Sequence, residues 1–311
     1  MEKLEQVMTK TIVVWLGALL CCVLWGSAFP CIKIGYQLFE IPADAVATQI
    51  LFAGYRFFLA GILAIVIGSF LRKKLLVPQG KSIGKILKLS MLQTVAQYVF
   101  FYIGLANTTG VKASIIEGVN VFIAILVASL VFHQEPLTLK KMAGSIVGFA
   151  GVVLVNVAGN GLTMSFAWNG EGFIFLSTVA YAFSSVFLKR YSKEEDTVVL
   201  SGYQFVVGGL VMILCGVIMG GSLTVITGKG MAMLIYLALV SAVAYSLWGI
   251  LLKYNPISKV AVFGFMNPVF GVILSALLLE EAQSIGATSV IALVLVCVGI
   301  YIVNRQEKEK K

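Results

Sequence analysis

The sequence predicts an all-α polytopic membrane protein with ten transmembrane helices arranged as two inverted five-helix repeats. Three observations carry that expectation. Apolar runs long enough to cross a bilayer recur ten times, with only short connections between them. Charged residues make up 12% of the 311 residues against 59% hydrophobic ones, with a mean hydropathy of +0.99. A soluble surface would need roughly 25% charged residues. Lys and Arg, finally, crowd onto alternate connections.

The runs lie at about 12–35, 47–70, 84–106, 113–133, 139–158, 171–189, 198–219, 230–252, 258–279 and 285–304. The first reads as a span and not a cleavable leader. It is too long, follows a decapeptide of mixed charge, and lacks a small-x-small cleavage site. With the N-terminus in the cytoplasm, 19 of the 23 Lys and Arg fall on cytoplasmic segments and two, Lys112 and Lys229, on the other side. Lys33 and Arg56 fall within spans. Removing one span would invert every later loop and destroy this asymmetry. Both termini are therefore expected in the cytoplasm, and the short connections favour a plasma or inner membrane over an organelle.

The formal net charge of +9 does not point to nucleic acid, because the positive charge sits in short inter-span connections. The five cysteines (Cys21, Cys22, Cys31, Cys215, Cys297) lie in apolar segments without metal or redox spacing, and read as small buried hydrophobes. The single histidine, His133, sits where a span meets a loop and cannot build a metal site alone. No nucleotide-binding glycine loop or catalytic triad is present, so no cofactor is expected and direct ATP drive within the chain is not.

Two halves repeat. Gly54–Gly61 (GYRFFLAG) returns as Gly202–Gly209 (GYQFVVGG), and Gly151–Asn156 as Gly299–Asn304, both at an offset of 148. Val121-Phe122 matches Val269-Phe270 at the same offset. Gln97-Tyr98 nearly matches Ala244-Tyr245, and Trp25 and Lys33 correspond to Tyr181 and Lys189. The halves are expected at 12–158 and 171–304, flanked by cytoplasmic tails 1–11 and 305–311. Five spans is an odd number, so the second half enters from the opposite side, the arrangement that lets two similar units exchange conformations around a central site.

In this order the motifs resemble the ten-span EamA-domain transporters of the drug/metabolite transporter superfamily. The resemblance rests on LWGSAFPCIK, GYRFFLAGI and VFIAILVASLVFHQEPLTLKKMAGSIVGFAGVVLV in the first half, and on AYAFSSVFLKRY and NPVFGVILSALLLEE in the second. The proline common early in span 4 is absent, with Asn120 or Phe122 near its place; the second half keeps it as Pro268. The resemblance implies a central cavity lined by spans 1, 3, 4, 6, 8 and 9.

Glu117 is the acid that lies inside a span, where an unpaired carboxyl costs several kcal/mol unless protonated, paired or facing water. Arg56 is its expected partner: at about 1.5 Å per residue the two sit roughly 3 Å and 7 Å outward of their span centres. The readings left open for the pair are a static ion pair, a proton or cation site at Glu117 tuned by Arg56, and a carboxylate clamp at Arg56. Gln204 occupies the Arg56 position in the second half, which has no acid matching Glu117. Asn120 shares a helix face with Glu117, and Gln93 with Gln97 beside Tyr98. Ser241, Tyr245 and Trp248 form a stripe on span 8, Asn267 joins Phe270 on span 9, and Trp25, Tyr181, Ser184 and Ser185 come from spans 1 and 6. Such residues either glue helices together or line a cavity. Gly144, Gly148 and Gly151 read as close helix packing, and Glu135 and Glu281 as residues that end or orient helices at the membrane interface.

The expected function is a secondary-active transporter that exports amino acids, related metabolites or amphipathic small molecules by alternating access, with proton coupling and homo-oligomerisation left open. Its partners are a small-molecule substrate and the lipid bilayer. The alternatives are a nucleotide-sugar or phosphate-ester exchanger, which would want several intramembrane cations, and an integral-membrane lipid-modifying enzyme, which would want clustered His, Asp or Cys.

Overall fold

The computed structural model describes residues 2–108, 113, 116–157, 166–278 and 287–305, and all regular structure among them is helical. Lys112 and Glu281 lie outside the described residues. After a short helix α1 (Glu2–Met8) come α2 (Thr11–Leu38), α3 (Val46–Leu71), α4 (Gly80–Ala106), α5 (Ile116–Val131) and α6 (Leu139–Val157). The second half supplies α7 (Trp168–Tyr191), α8 (Thr197–Ile218), α9 (Gly228–Tyr254), α10 (Ile257–Ser275) and α11 (Ala287–Asn304). Seven of these, α2, α3, α4, α7, α8, α9 and α10, are long and apolar enough to cross a membrane. The apolar stretches Ile116–Val131 and Val290–Asn304 are shorter. Large apolar side chains such as Leu16, Phe70, Leu139 and Ile218 are exposed around the bundle, a surface suited to lipid and not to water. The chain is a multi-pass membrane protein.

The repeated glycines explain the tightest contacts. Gly54 and Gly61 of α3 face Gly202 and Gly209 of α8, where side chains would collide with backbone. A Cβ on Gly61 would stand 2.5 Å from the Gly202 carbonyl oxygen, and one on Gly209 2.4 Å from the Phe58 nitrogen. The motif shared by the two halves is thus one interface seen from both sides. The α6–α11 contact is built likewise, with a Cβ on Gly144 falling 2.8 Å from the Gly299 carbonyl oxygen. Without a hydrophobic drive between helices in lipid, such backbone approach is what van der Waals packing needs.

Three π-helical turns interrupt the ladders, at Ser90–Ala96 in α4, Val127–Val131 in α5 and Trp168–Gly172 in α7. Such bulges re-aim side chains and often sit at functional sites.

Polar contacts stitch the end of the bundle where α3 finishes. Asp196 accepts from Val198 N–H (2.9 Å) and Val199 N–H (3.3 Å), capping α8, and pairs with Arg72. Glu194 pairs with Lys85 at 2.6 Å. Glu135 accepts from the Ser258 N–H (2.9 Å) and hydroxyl (2.7 Å) at the first turn of α10 and from Lys141 (3.1 Å). It therefore orients a helix, the expected role. His133 is exposed and itself takes the left-handed conformation, φ +50°. Cys21 and Cys22 are buried and donate to the carbonyls of Ala244 and Phe263. Cys297, against expectation, is exposed on the outer surface of α11.

Candidate functional site

A cavity of about 630 Å³ lies between α2, α3, α4, α5, α7, α9 and α10. Its size suits a small molecule. Each helix contributes one stripe at helical spacing. Trp25, Ile32 and Tyr36 come from α2, Gln97, Tyr98 and Tyr102 from α4, and Ser177, Tyr181 and Ser185 from α7. Tyr245 and Trp248 face it from α9, and Asn267, Gly271 and Ser275 from α10. The lining reaches the end of the bundle where α2 stops and α3 begins, at Tyr36, Ala43 and Gln49. This is the end opposite the stitched one.

An aromatic cluster forms the wall. Trp25 meets Tyr245 and Trp248 edge to face at 5.1 and 5.0 Å between centroids. The Tyr98 and Tyr245 hydroxyls share a 2.7 Å hydrogen bond, and Phe57 lies 4.3 Å from the Tyr98 ring. Such edge-to-face pairs hold the wall rigid at little entropic cost.

Ten of the twelve sequence-predicted residues line this cavity: Trp25, Arg56, Gln97, Tyr98, Glu117, Asn120, Tyr181, Tyr245, Trp248 and Asn267. Gln93 and Ser184 do not. Gln93 is 1% exposed and sits within the π-helical turn, whose wider winding rotates it off the Gln97 face. Ser184 is fully buried and donates to the Tyr181 carbonyl at 2.7 Å, a local back-bond, while its neighbour Ser185 faces the cavity. Tyr36, Tyr102, Gln49, Ser177 and Thr178 also line it and escaped the sequence reading. Tyr36 falls three turns beyond Trp25 on the same face, a spacing visible in the sequence.

Arg56 and Glu117 share the cavity but not an ion pair. Arg56 is 3% exposed and donates from Nε (3.1 Å) and Nη2 (2.9 Å) to the Ser241 hydroxyl, with Phe57 5.0 Å beneath its guanidinium. Ser241 in turn donates to the Leu237 carbonyl at 3.1 Å. Among the described residues Glu117 has neither a hydrogen bond nor a salt bridge. The expected pairing is therefore replaced by an Arg56–Ser241 contact, because compatible depth does not fix helix rotation. The second half's counterpart, Gln204, is fully buried and accepts from Thr94 at 2.7 Å, outside the cavity. Lys33, within a span by sequence, is exposed and lies at the cavity mouth.

Among the described residues, several lining polar atoms have no partner: Trp25 Nε1, the Tyr36 hydroxyl, and the amide oxygens of Gln97, Asn120 and Asn267. A buried polar atom left unpaired costs about 1–3 kcal/mol. A solute or water bearing donors and acceptors would satisfy this set.

The EamA-like transporter family model matches the chain over residues 12–157 and again over 168–305. A Bacillus subtilis protein called "Uncharacterized transporter YvbV" is 24% identical over 93% of this chain and 90% of its own length. A "Probable amino-acid metabolite efflux pump" of Escherichia coli is 29% identical over 92% of each chain. A WAT1-related chloroplastic protein of Arabidopsis thaliana is 26% identical over 82% of this chain, which spans 62% of that protein's length. A solved crystal structure matches with a TM-score of 0.76 at 17% identity, covering 93% of this chain and 95% of that one. That last likeness concerns the fold alone.

Proposed function

We propose, for a chain that belongs to the EamA-like transporter family of the drug/metabolite transporter superfamily, secondary-active export of amino acids, related metabolites or amphipathic small molecules by alternating access. The observation that carries this reading is the central cavity with unpaired polar atoms in an aromatic wall, at a depth reached by seven helices. An aromatic-lined site with few convergent polar groups suits a small amphipathic solute. The name of the Escherichia coli relative agrees with that class.

In this reading the chain crosses the membrane ten times as two inverted repeats, 12–158 and 171–304, with tails 1–11 and 305–311 and both termini in the cytoplasm of a bacterial-type inner membrane. The stitched end, held by Glu135, Asp196 and Glu194, is the closed cytoplasmic face, and the Tyr36–Gln49 end is the open one. Rocking of one repeat against the other moves the opening between faces. The twelve residues expected from the sequence reduce to ten at the substrate site, without Gln93 and Ser184. Glu117 serves as the proton or cation site.

Alternate accessibility tests the reading. Asn267→Cys in a background lacking the native cysteines is treated with an impermeant thiol reagent from either side of oriented vesicles. Labelling from both faces, with substrate changing their ratio, supports alternating access. Labelling confined to one face under every condition removes it.

A further inference from the structure

Arg56 occupies an electrostatic position the cavity alone does not require. It is the eleventh residue of α3, about 15 Å from the helix start at about 1.5 Å per residue, and thus deep in the bundle. Its guanidinium is buried, yet both of its hydrogen bonds end on one neutral hydroxyl, Ser241. Among the described residues no carboxylate comes within ion-pair distance of it, and its Nη1 edge has no partner. A buried cation without a counter-charge is costly, and water can fill its hydrogen bonds but not balance its charge. What completes this arrangement is an anion arriving through the cavity.

We propose that Arg56 is the acid-reading subsite of the cavity, so that the transported solute carries a carboxylate bound by the free edge of its guanidinium. The proposal rests on the reading of this cavity as the substrate site. Ser241 and the Phe57 ring hold the Nε side of the fork, which leaves Nη1 presented to the solute in a fixed orientation. A monoanion fits better than a phosphate ester. The other cation in the lining, Lys33, is exposed on a different helix near the mouth, and Glu117 on the cavity wall disfavours a second negative charge. Glu117 and the unpaired amide oxygens of Asn120 and Asn267 instead tolerate donors on the far end of the solute. The nonpolar part lies against the Trp25, Tyr245 and Trp248 rings.

The test uses the full chain in lipid nanodiscs, with tryptophan emission as readout, since two of the four tryptophans line the cavity. Three probes differ at one end each: L-phenylalanine, L-phenylalaninamide and 3-phenylpropionate. Both carboxylates are expected to bind about ten- to a hundredfold tighter than the amide, the scale of a charge-assisted hydrogen bond. Arg56→Gln removes that difference, and Arg56→Lys, which keeps the charge but not the fork, retains part of it; if the Gln variant does not fold, the Lys variant and the wild-type probe series decide. Equal binding of the amide and the acid by wild type overturns the proposal. So does a carboxylate preference that survives Arg56→Gln, or the failure of all three probes to bind. Flux through proteoliposomes separates the two readings. Arg56-dependent binding of acids that never cross the bilayer sinks the transport reading alone, whereas transport indifferent to the carboxyl sinks the acid subsite alone.

Discussion

Glu135 gives the sharpest energetic expectation outside the cavity. Its carboxylate is 9% exposed and accepts from the Ser258 N–H at 2.9 Å, the Ser258 hydroxyl at 2.7 Å and Lys141 at 3.1 Å. Glu135→Ala leaves an orphan N–H at the first turn of α10, an unpaired hydroxyl and a half-buried Lys141 ammonium left with the Pro136 carbonyl to donate to. Removing one partner of a buried ion pair costs about 3–5 kcal/mol. Water reaches this end of the bundle, so the lower end of that range, about 3 kcal/mol, is expected. At about 2 °C per kcal/mol for a chain of this size, that corresponds to a fall of about 6 °C in Tm. Glu135→Gln keeps one acceptor and should lose about half as much. Thermal unfolding followed by monodisperse chromatographic recovery measures both. An alanine variant that melts with wild type would mean that the Glu135–Ser258 contact contributes nothing to holding α5 and α10 together. That would remove the argument that this end is held shut.

Three other substitutions probe the packing and the coupling. Gly209→Ala places a Cβ 2.4 Å from the Phe58 nitrogen and 2.9 Å from the Gly54 carbonyl oxygen. A cost of about 1–3 kcal/mol or more follows from overpacking, whereas Gly84→Ala, with nothing within 4 Å, should match or slightly exceed wild-type thermal recovery. Equal stability of the two variants would contradict the interface. Glu117→Gln should abolish the pH-gradient dependence of solute uptake into inverted vesicles while leaving solute exchange; an unchanged gradient dependence would remove Glu117 from coupling.

Membrane depth made much of the site legible. An amide, an aromatic hydroxyl or a carboxyl in the middle of an apolar run is costly unless it faces a partner or a cavity, so Gln97, Asn120, Asn267 and Glu117 announced themselves. The helix period then placed Tyr245 and Trp248 on one face with Ser241. What the sequence could not carry was rotation and local winding. Arg56 and Glu117 sit at compatible depths, yet the guanidinium turns to Ser241 on α9. Gln93 looked like a neighbour of Gln97 at α-helical spacing, and the π turn at Ser90–Ala96 alters that spacing. Ser184 and Ser185 are adjacent and chemically identical, and both donate to the Tyr181 carbonyl; only their helix phase puts Ser185 on the cavity and Ser184 behind it. The repeated glycines mark two similar halves in the sequence, but that the two copies pack against each other, at Gly61 and Gly202, depends on the fold.

The central claim is that this cavity carries small amphipathic solutes across a bilayer. Proteoliposomes of the purified chain, loaded with an unlabelled mixture of amino acids and given external radiolabelled ones, measure it directly by counterflow. The account expects transient accumulation of label above empty liposomes for a subset of amino acids, reduced at least tenfold by Trp248→Ala in the cavity wall. No accumulation of any amino acid, or accumulation untouched by Trp248→Ala, would contradict it.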